Sequence, residues 1–266
     1  MTFLSNIFHT KSDKYVLVIS GGGVRGFYGL GLLKAMEEVW IADKIEAVYG
    51  VSAGAIIGAY WTAGYSAQEI FDIFMTFTKS KLLSWKTLWL LSKKSLLSNT
   101  TIKEQFVQDL PKQFGWLKKK LYIWSVDTNK AKFHLFNEGD LIHPLLWSMS
   151  IPGIFPPVSY QHHDLVDGWV LNNFPVDLAK EQHPHNKIIG IYLNQFLEDQ
   201  KVSNIFDGLS LAYEILLRWP SMAKFHIPEH MFSRQLNIKV LSVNAKEMEK
   251  IFLLWYADGL KEFMKK

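Results

Sequence analysis

Residues 50 to 54 read Gly50-Val51-Ser52-Ala53-Gly54, and the spacing of this pentapeptide indicates chemistry more directly than any other stretch. It follows the apolar run Ala47-Val48-Tyr49, and a G-x-S-x-G sequence after a buried strand is typical of a nucleophile elbow. The small residues around Ser52 leave room for a sharp strand-to-helix turn that presents its hydroxyl. The pentapeptide therefore predicts that Ser52 is a serine nucleophile for acyl transfer.

A second glycine-rich stretch, Gly21-Gly22-Gly23-Val24-Arg25-Gly26, follows the apolar run from Tyr15 to Ile19. It matches the G-x-G-x-x-G pattern of dinucleotide-binding folds, so nucleotide binding is one interpretation. That interpretation requires an acidic residue at the end of the second strand, and here this strand leads into Ser52 instead. Successive glycine N–H groups also stabilise a developing negative charge. The favoured interpretation is therefore an oxyanion hole beside Ser52.

The base that would activate Ser52 has several candidates. Four histidines in polar, loop-like surroundings are compatible with a Ser-His-Asp triad, namely His162, His163, His183 and His185. Asp167-Gly168 is the better candidate, because it follows the short apolar pair Leu165-Val166 and so falls at a strand end that can lie beside the elbow. The chain has no cysteine, which excludes a thiol nucleophile, thiolate metal sites and disulfides.

The elements that would position these residues alternate between strands and helices. A strand at 15–19, a helix at 27–40 and a strand at 46–49 form a βαβ unit. Further strands are predicted at 121–126, 132–136, 187–193 and 236–243, and further helices at 53–63, 67–79, 101–110, 203–219 and 245–263. This order predicts a three-layer α/β fold with a mostly parallel central sheet.

Length and composition set the outer limits. A chain of 266 residues, 48% of them apolar, can bury the core of a single domain over residues 1–266. We see neither a signal peptide nor the roughly 18 successive apolar residues of a spanning helix, and expect a cytoplasmic protein. The net charge of +4 is compatible with peripheral contact to an anionic membrane. The scattered basic residues disfavour nucleic acid as a partner.

Three motifs in this order resemble the patatin-like phospholipase family: the glycine loop from Gly21 to Gly26, the elbow from Gly50 to Gly54, and Asp167-Gly168. Two secondary features fit the same family. Ser150 to Pro157 looks like its proline-rich segment, and Asn173-Phe174-Pro175 looks like its N-x-P sequence. The resemblance covers the chain from about Tyr15 to Val176, which is most of a catalytic domain of this family.

The resemblance implies a Ser-Asp dyad with Ser52 as nucleophile and Asp167 as general base, and an oxyanion hole built from backbone amides of the glycine loop. No histidine, metal or cofactor is then needed. The implied activity is that of a carboxylic ester hydrolase that cleaves fatty-acyl esters of lipids through an acyl-serine intermediate. One departure is Trp169, which stands where the family usually has Gly or Ala. Trp169 favours a shaped acyl pocket, and it also motivates the alternative of a catalytically silent lipid-binding or interaction protein.

Arg25 and the segment 82–94 are each compatible with two interpretations. Arg25 would either brace the glycine loop or contact a lipid phosphate. The segment 82–94, inside a predicted cap at 80–98, mixes Trp, Leu and Lys as interfacial amphipathic segments do, and a helix packed onto the core is equally compatible.

Overall fold

The computed structural model describes residues 13–79, 99–152, 158–160, 163–193, 202, 205–234 and 245–265. Among these residues the strands are β1 Tyr15–Ile19, β2 Ile45–Gly50, β3 Lys120–Asp127, β4 Lys132–Phe136, β5 Val158–Tyr160, β6 His163–Asp167, β7 Lys187–Tyr192 and β8 His230–Ser233. The α-helices are α1 Gly26–Glu38, α2 Ala53–Ala63, α3 Ala67–Lys79, α4 Asn99–Asp109, α5 Ile142–Ser148, α6 Val176–Gln182, α7 Ile205–Met222 and α8 Ala245–Phe263.

The described strands form one sheet in the order β5-β6-β3-β2-β1-β7-β8, and β4 pairs with β3 outside this order. The five neighbouring strands β3, β2, β1, β7 and β8 are parallel to one another. Strands β4 and β6 pair antiparallel with β3, and β5 pairs antiparallel with β6. Parallel neighbours require crossover connections, and α1 supplies the one between β1 and β2. The mostly parallel α/β sheet predicted from the sequence is confirmed.

The two faces of the sheet are covered by separate apolar cores. Leu17 and Ile19 of β1 belong to the larger core, together with buried residues of α1, α2 and α8. Val16 and Val18 point to the opposite face and belong to a smaller core that includes residues of α6. Because successive side chains of a strand alternate between faces, a strand covered on both sides is apolar throughout. The prediction of three layers is confirmed.

The predicted element ends differ from the observed ones by a few residues. The helix predicted at 27–40 ends at Glu38, and Trp40 has a φ of 63°. The helix at 53–63 is as predicted, and Gly64 ends it with a left-handed φ of 110°. The short elements α5, α6 and β8 were not predicted. The predicted strand at 236–243 and cap at 80–98 lie outside the described residues.

Candidate active site

Ser52 lies in the turn between β2 and α2, with φ 54° and ψ −120°. Residues other than glycine rarely adopt this backbone conformation. It costs about 1–3 kcal/mol and persists only where the surrounding structure enforces it. Close packing leaves no room for a side chain at either of the flanking glycines. A Cβ at Gly50 would lie 2.5 Å from the Cα of Ala55, and one at Gly54 would overlap the carbonyl oxygen of Ile19. The turn therefore has the strained geometry of a nucleophile elbow.

The backbone of Ser52 is fixed from both sides. Its N–H donates a hydrogen bond of 2.9 Å to the hydroxyl of Ser148, the fully buried last residue of α5. Its carbonyl accepts a bond of 2.9 Å from the N–H of Ala55 in the first turn of α2. Ser52 itself is 5% exposed. The nucleophile candidate is thus held between two helices at the edge of the buried interior.

Asp167 is the last residue of β6 and is fully buried. Its Oδ1 accepts a hydrogen bond of 2.9 Å from the N–H of Trp169, and its own N–H donates a bond of 3.0 Å to the carbonyl of Ser150. Gly168, also buried, begins the short 3-10 turn Gly168–Val170 that brings the Trp169 amide back to the carboxylate. The Oδ2 atom has no hydrogen-bond partner of standard geometry among the described residues.

Burial raises the pKa of the Asp167 carboxyl from its ordinary value to about 7, because the interior disfavours the charged form. Hydrogen bonding from the Ser52 side chain and from the Trp169 N–H lowers that pKa in part. The Ser52 hydroxyl is therefore a neighbour of the carboxyl. Such contacts often tighten only when substrate is bound.

The glycine loop between β1 and α1 faces the elbow. A Cβ at Gly21 would lie 3.2 Å from the Cβ of Ser52 and 2.6 Å from the Oδ1 of Asn173. The N–H of Gly21 donates to that same Oδ1 across 2.9 Å, and the N–H of Arg25 donates to the carbonyl of Gly22 across 3.1 Å. Two of the predicted oxyanion donors therefore already have acceptors.

The remaining amides of the loop lie at the start of the helical segment. Gly23, Val24 and Arg25 form a 3-10 turn that leads into α1 at Gly26. No described residue accepts a hydrogen bond from the N–H of Gly22 or of Gly23. The amino end of a helix carries a partial positive charge, so this position favours a developing negative charge.

Arg25 is 2% exposed, which makes it one of the largest fully buried side chains among the described residues. A buried guanidinium cannot reach the phosphate of a lipid outside the molecule without moving. Burial raises the pKa of Tyr28, and the nearby positive charge of Arg25 lowers that pKa in part. Of the two interpretations of Arg25, the one in which it braces the glycine loop fits this position.

Trp169 is half-buried, and its indole packs against the smaller core on the α6 face of the sheet. Its backbone N–H, as described above, holds the Asp167 carboxylate. The residue that departs from the family pattern therefore supports the candidate base through its main chain while its side chain adds to the core.

The candidate histidines occupy other places. The ring of His183, after the end of α6, contacts the rings of Tyr49 and Tyr122 at centroid distances of 5.9 and 6.0 Å. His163 begins β6, four residues before Asp167, and His162 lies outside the described residues. Within the described part of the chain, no three His, Asp or Glu side chains are placed together to hold a metal ion.

Sequence reasoning missed three residues that hold the site together. Asn173 was recognised only as part of an N-x-P motif, yet it binds Gly21. Ser148 is the last residue of α5, and its hydroxyl binds the backbone of Ser52. Ser150 lies two residues later, and its carbonyl binds the backbone of Asp167. A signal was present, because Ser150 begins the proline-rich segment and Ser148 lies two residues before it, but nothing in their spacing shows what they contact.

A strained serine at an elbow, a buried carboxyl beside it and a glycine loop at a helix start define the class of α/β serine hydrolases. The family model for patatin-like phospholipase matches residues 17–180, and the chain belongs to this family.

Two curated relatives agree with this assignment, and one solved structure has a similar fold. The chain is 28% identical over 242 residues to lysophospholipase NTE1 of Meyerozyma guilliermondii, covering 88% of this chain and 16% of that protein. It is 30% identical over 196 residues to the probable lipid hydrolase 463L of Invertebrate iridescent virus 6, covering 66% of this chain and 67% of that protein. The chain thus spans only about a sixth of the lysophospholipase. VipD from Legionella pneumophila has a similar fold, with a TM-score of 0.55 at 12% identity over 95% of this chain and 67% of VipD.

Proposed function

We propose that this protein is a serine lipid acyl hydrolase, a phospholipase A or lysophospholipase type of esterase. The observation that carries the proposal is the pairing of Ser52, strained at its elbow, with the fully buried carboxyl of Asp167. The family and the lysophospholipase and lipid hydrolase names of its relatives support a fatty-acyl ester of a lipid as the substrate.

In the first half of the reaction, Ser52 Oγ attacks the ester carbonyl and its proton passes to the Asp167 carboxylate. The carbonyl oxygen becomes an oxyanion, for which the N–H groups of Gly22 and Gly23 are the candidate donors. Asp167 then returns the proton to the leaving alcohol, and an acyl-serine remains. In the second half Asp167 takes a proton from water, the resulting hydroxide attacks the acyl-serine, and the fatty acid leaves as Ser52 regains its proton.

The burial of Asp167 answers the main difficulty of a carboxylate as base. An ordinary aspartate, with a pKa near 3.9, is a poor acceptor for a serine proton. With a pKa of about 7 the carboxylate is a stronger base by several orders of magnitude and remains deprotonated in half of the molecules at neutral pH. The strained position of Ser52 and the glycine amides lower the barrier further.

A chromogenic fatty-acyl ester tests the mechanism directly. We expect Ser52→Ala to lower kcat by at least about a thousandfold, and Asp167→Asn to have a similar effect because the two side chains act as a unit. A fluorophosphonate should label Ser52 in the parent protein and label nothing at that position in Ser52→Ala. Unchanged hydrolysis in Ser52→Ala would show that the mechanism is wrong.

The alternative of a catalytically silent lipid-binding protein depended on Trp169. The Trp169 N–H that holds Asp167 would be present with Gly or Ala at this position as well, so this bond does not bear on the alternative. The indole packs against the smaller core, and the family supports hydrolysis. A protein that binds lipid vesicles but is not labelled by the fluorophosphonate would restore it.

We also propose that the protein works at a lipid surface. None of the described helices combines the length and hydropathy needed to cross a bilayer. Yet α7 exposes an apolar row at helical spacing, in which Leu216 is 69% and Trp219 71% exposed, and Ile215 and Met222 lie beside them. Apolar side chains that include a Trp are typical of helices lying in a membrane interface. The segment 82–94, predicted to make such a contact, lies outside the described residues and stays a prediction.

The position of α7 relative to the site supports this surface. Lys224, two residues after the end of α7, donates to the Oδ1 of Asn172 across 3.1 Å. Asn172 lies five residues after Asp167 in the chain, so the end of α7 lies against the segment that carries the candidate base.

Substitution of the exposed tryptophan tests this surface. We expect Trp219→Glu to reduce binding and hydrolysis of phospholipid vesicles while hydrolysis of a soluble short-chain ester is unchanged. Trp116→Glu is the matched control, because Trp116 is 65% exposed on a different part of the protein. Equal effects of both substitutions on vesicles would count against α7 as the contact surface.

A further inference from the structure

Two buried polar atoms beside the candidate dyad lack hydrogen-bond partners among the described residues: the Oγ of Ser125 and the Oδ2 of Asp167. Both residues are fully buried. More than nine in ten buried polar groups of native proteins have a partner, so an isolated one needs an explanation and two together suggest a common one.

The register of the sheet places these two residues directly opposite each other. Ser125 of β3 pairs with Asp167 of β6 in an antiparallel ladder. Directly opposed residues of such a ladder have their side chains on the same face, with Cβ atoms about 4.5–5.5 Å apart. A small rotation of either side chain therefore brings a serine hydroxyl to hydrogen-bond distance of the carboxylate.

We propose that Ser125 is a positioning residue whose hydroxyl donates a hydrogen bond to Oδ2 of Asp167 and holds this carboxylate toward Ser52. The inference deepens the proposed function and rests on it, since it assumes that Asp167 acts as the base. With Oδ1 held by the Trp169 N–H, a second donor at Oδ2 would fix the plane of the carboxylate. It would also favour the charged form, which is the form that accepts the serine proton.

The register of the sheet places two further titratable residues near the pair. On β4, His134 pairs with Ser125 from the other side, so His134, Ser125 and Asp167 form one row across three strands. Two residues further along β3, Asp127 faces the same side, and its Oδ1 accepts from the N–H groups of Asn129 and Lys130. Ser52 and Ser150, which also contact Asp167, are neutral. His134 is therefore the group whose titration must be separated from that of Asp167.

The experiment compares Ser125→Val with Ser125→Thr. The two substituted side chains have nearly the same shape, and both suit a strand, but only threonine keeps the hydroxyl. The measured quantity is the midpoint of the acidic limb of kcat/KM against pH, with His134→Gln as the control for the histidine. We expect Ser125→Thr and His134→Gln to keep the parent midpoint. Ser125→Val should move it upward by about one pH unit, as expected for loss of a hydrogen bond to a charged group.

An identical midpoint in Ser125→Val and Ser125→Thr would overturn the inference, because packing alone would then account for any change. If Ser125→Val does not fold, Ser125→Ala is compared with the parent, and the same upward shift is required.

A second measurement does not depend on activity. The free energy of unfolding is followed against pH by chemical denaturation, and it declines up to the pKa of Asp167 in the folded state. This decline should extend to higher pH in Ser125→Val than in Ser125→Thr. A protein that shows this difference but hydrolyses no ester would contradict the proposed function and keep the inference. An active protein that lacks this difference would contradict the inference and keep the proposed function.

Discussion

The side-chain amide of Asn173 holds the backbone of Gly21 at both of its polar groups. Its Oδ1 accepts from the Gly21 N–H across 2.9 Å, and its Nδ2 donates to the Gly21 carbonyl across 3.5 Å. Asn173 follows Asp167 by six residues, and Gly21 begins the glycine loop. The pair therefore couples the segment of the candidate base to the loop that would stabilise the oxyanion, although 152 residues separate them in the chain.

Removal of this coupling is expected to affect catalysis and stability together. Asn173→Ala leaves the buried N–H of Gly21 without an acceptor, which costs about 1–3 kcal/mol. The thermal midpoint should fall by roughly 3–10 °C. If the loop shifts, kcat for a soluble fatty-acyl ester should fall about 10- to 100-fold with little change in KM. Asn172→Ala is the control, because Asn172 binds Phe174 and Lys224 and does not touch the loop. A variant with lower stability but the parent kcat would show that Asn173 is only structural.

Ser148 and Ser150, at and just after the end of α5, provide a matched comparison. Ser148→Ala removes the acceptor of the Ser52 N–H, whereas Ser150→Ala removes only a hydroxyl that donates to the carbonyl of Leu146 across 2.7 Å. Both side chains are fully buried and equal in size, so their effects on packing should be similar. We expect Ser148→Ala to lower kcat about tenfold or more, because the strained backbone of the nucleophile relaxes. Ser150→Ala should keep kcat within about twofold. Equal values of kcat in the two variants would contradict a specific role of Ser148.

The features of this fold that depend on local patterns were predictable. Tyr15 to Ile19 is apolar at every position, as a strand buried on both faces must be. The glycines around Ser52 indicate a tight turn. These signals lie within a few neighbouring residues, so a single sequence displays them.

The contacts that complete the site were not predictable in the same way. Ser125 and Asp167 are opposite each other only because of the register of β3 and β6, and register is not visible in either strand alone. Ser148 and Asn173 reach Ser52 and Gly21 across 96 and 152 residues of chain. The sequence left Arg25 either bracing the glycine loop or contacting a lipid phosphate, and only the structure shows that its side chain is buried.

The pH dependence of hydrolysis follows from the pKa of Asp167. The carboxylate form is the base, so kcat/KM should rise tenfold per pH unit below about pH 7 and become constant above it. An aspartate with an ordinary pKa would place the same limb near pH 4. His183→Gln is the control, since an ordinary imidazole also titrates near 6.5. The limb should persist in this variant, because burial lowers the pKa of His183 and the ring lies against tyrosines. A limb near pH 4 would show that burial does not raise the pKa of the base, and a limb that disappears in His183→Gln would show that Asp167 is not the titrating base.

Because it is buried, Asp167 should lower the free energy of unfolding at neutral pH. Between about pH 4 and pH 7 the folded protein keeps the proton of Asp167 while the unfolded chain loses it, so the free energy of unfolding declines as pH rises through this range. The total decline is on the order of 4 kcal/mol, and it is complete above about pH 7. Asp167→Asn removes the titrating group and, through its own Oδ1, keeps an acceptor for the Trp169 N–H. We therefore expect the stability of Asp167→Asn relative to the parent to increase from pH 4 to pH 8 by about that amount, as measured by urea denaturation at each pH. A stability difference between Asp167→Asn and the parent that does not change with pH would mean that Asp167 is not the buried, proton-retaining group that the proposed mechanism requires.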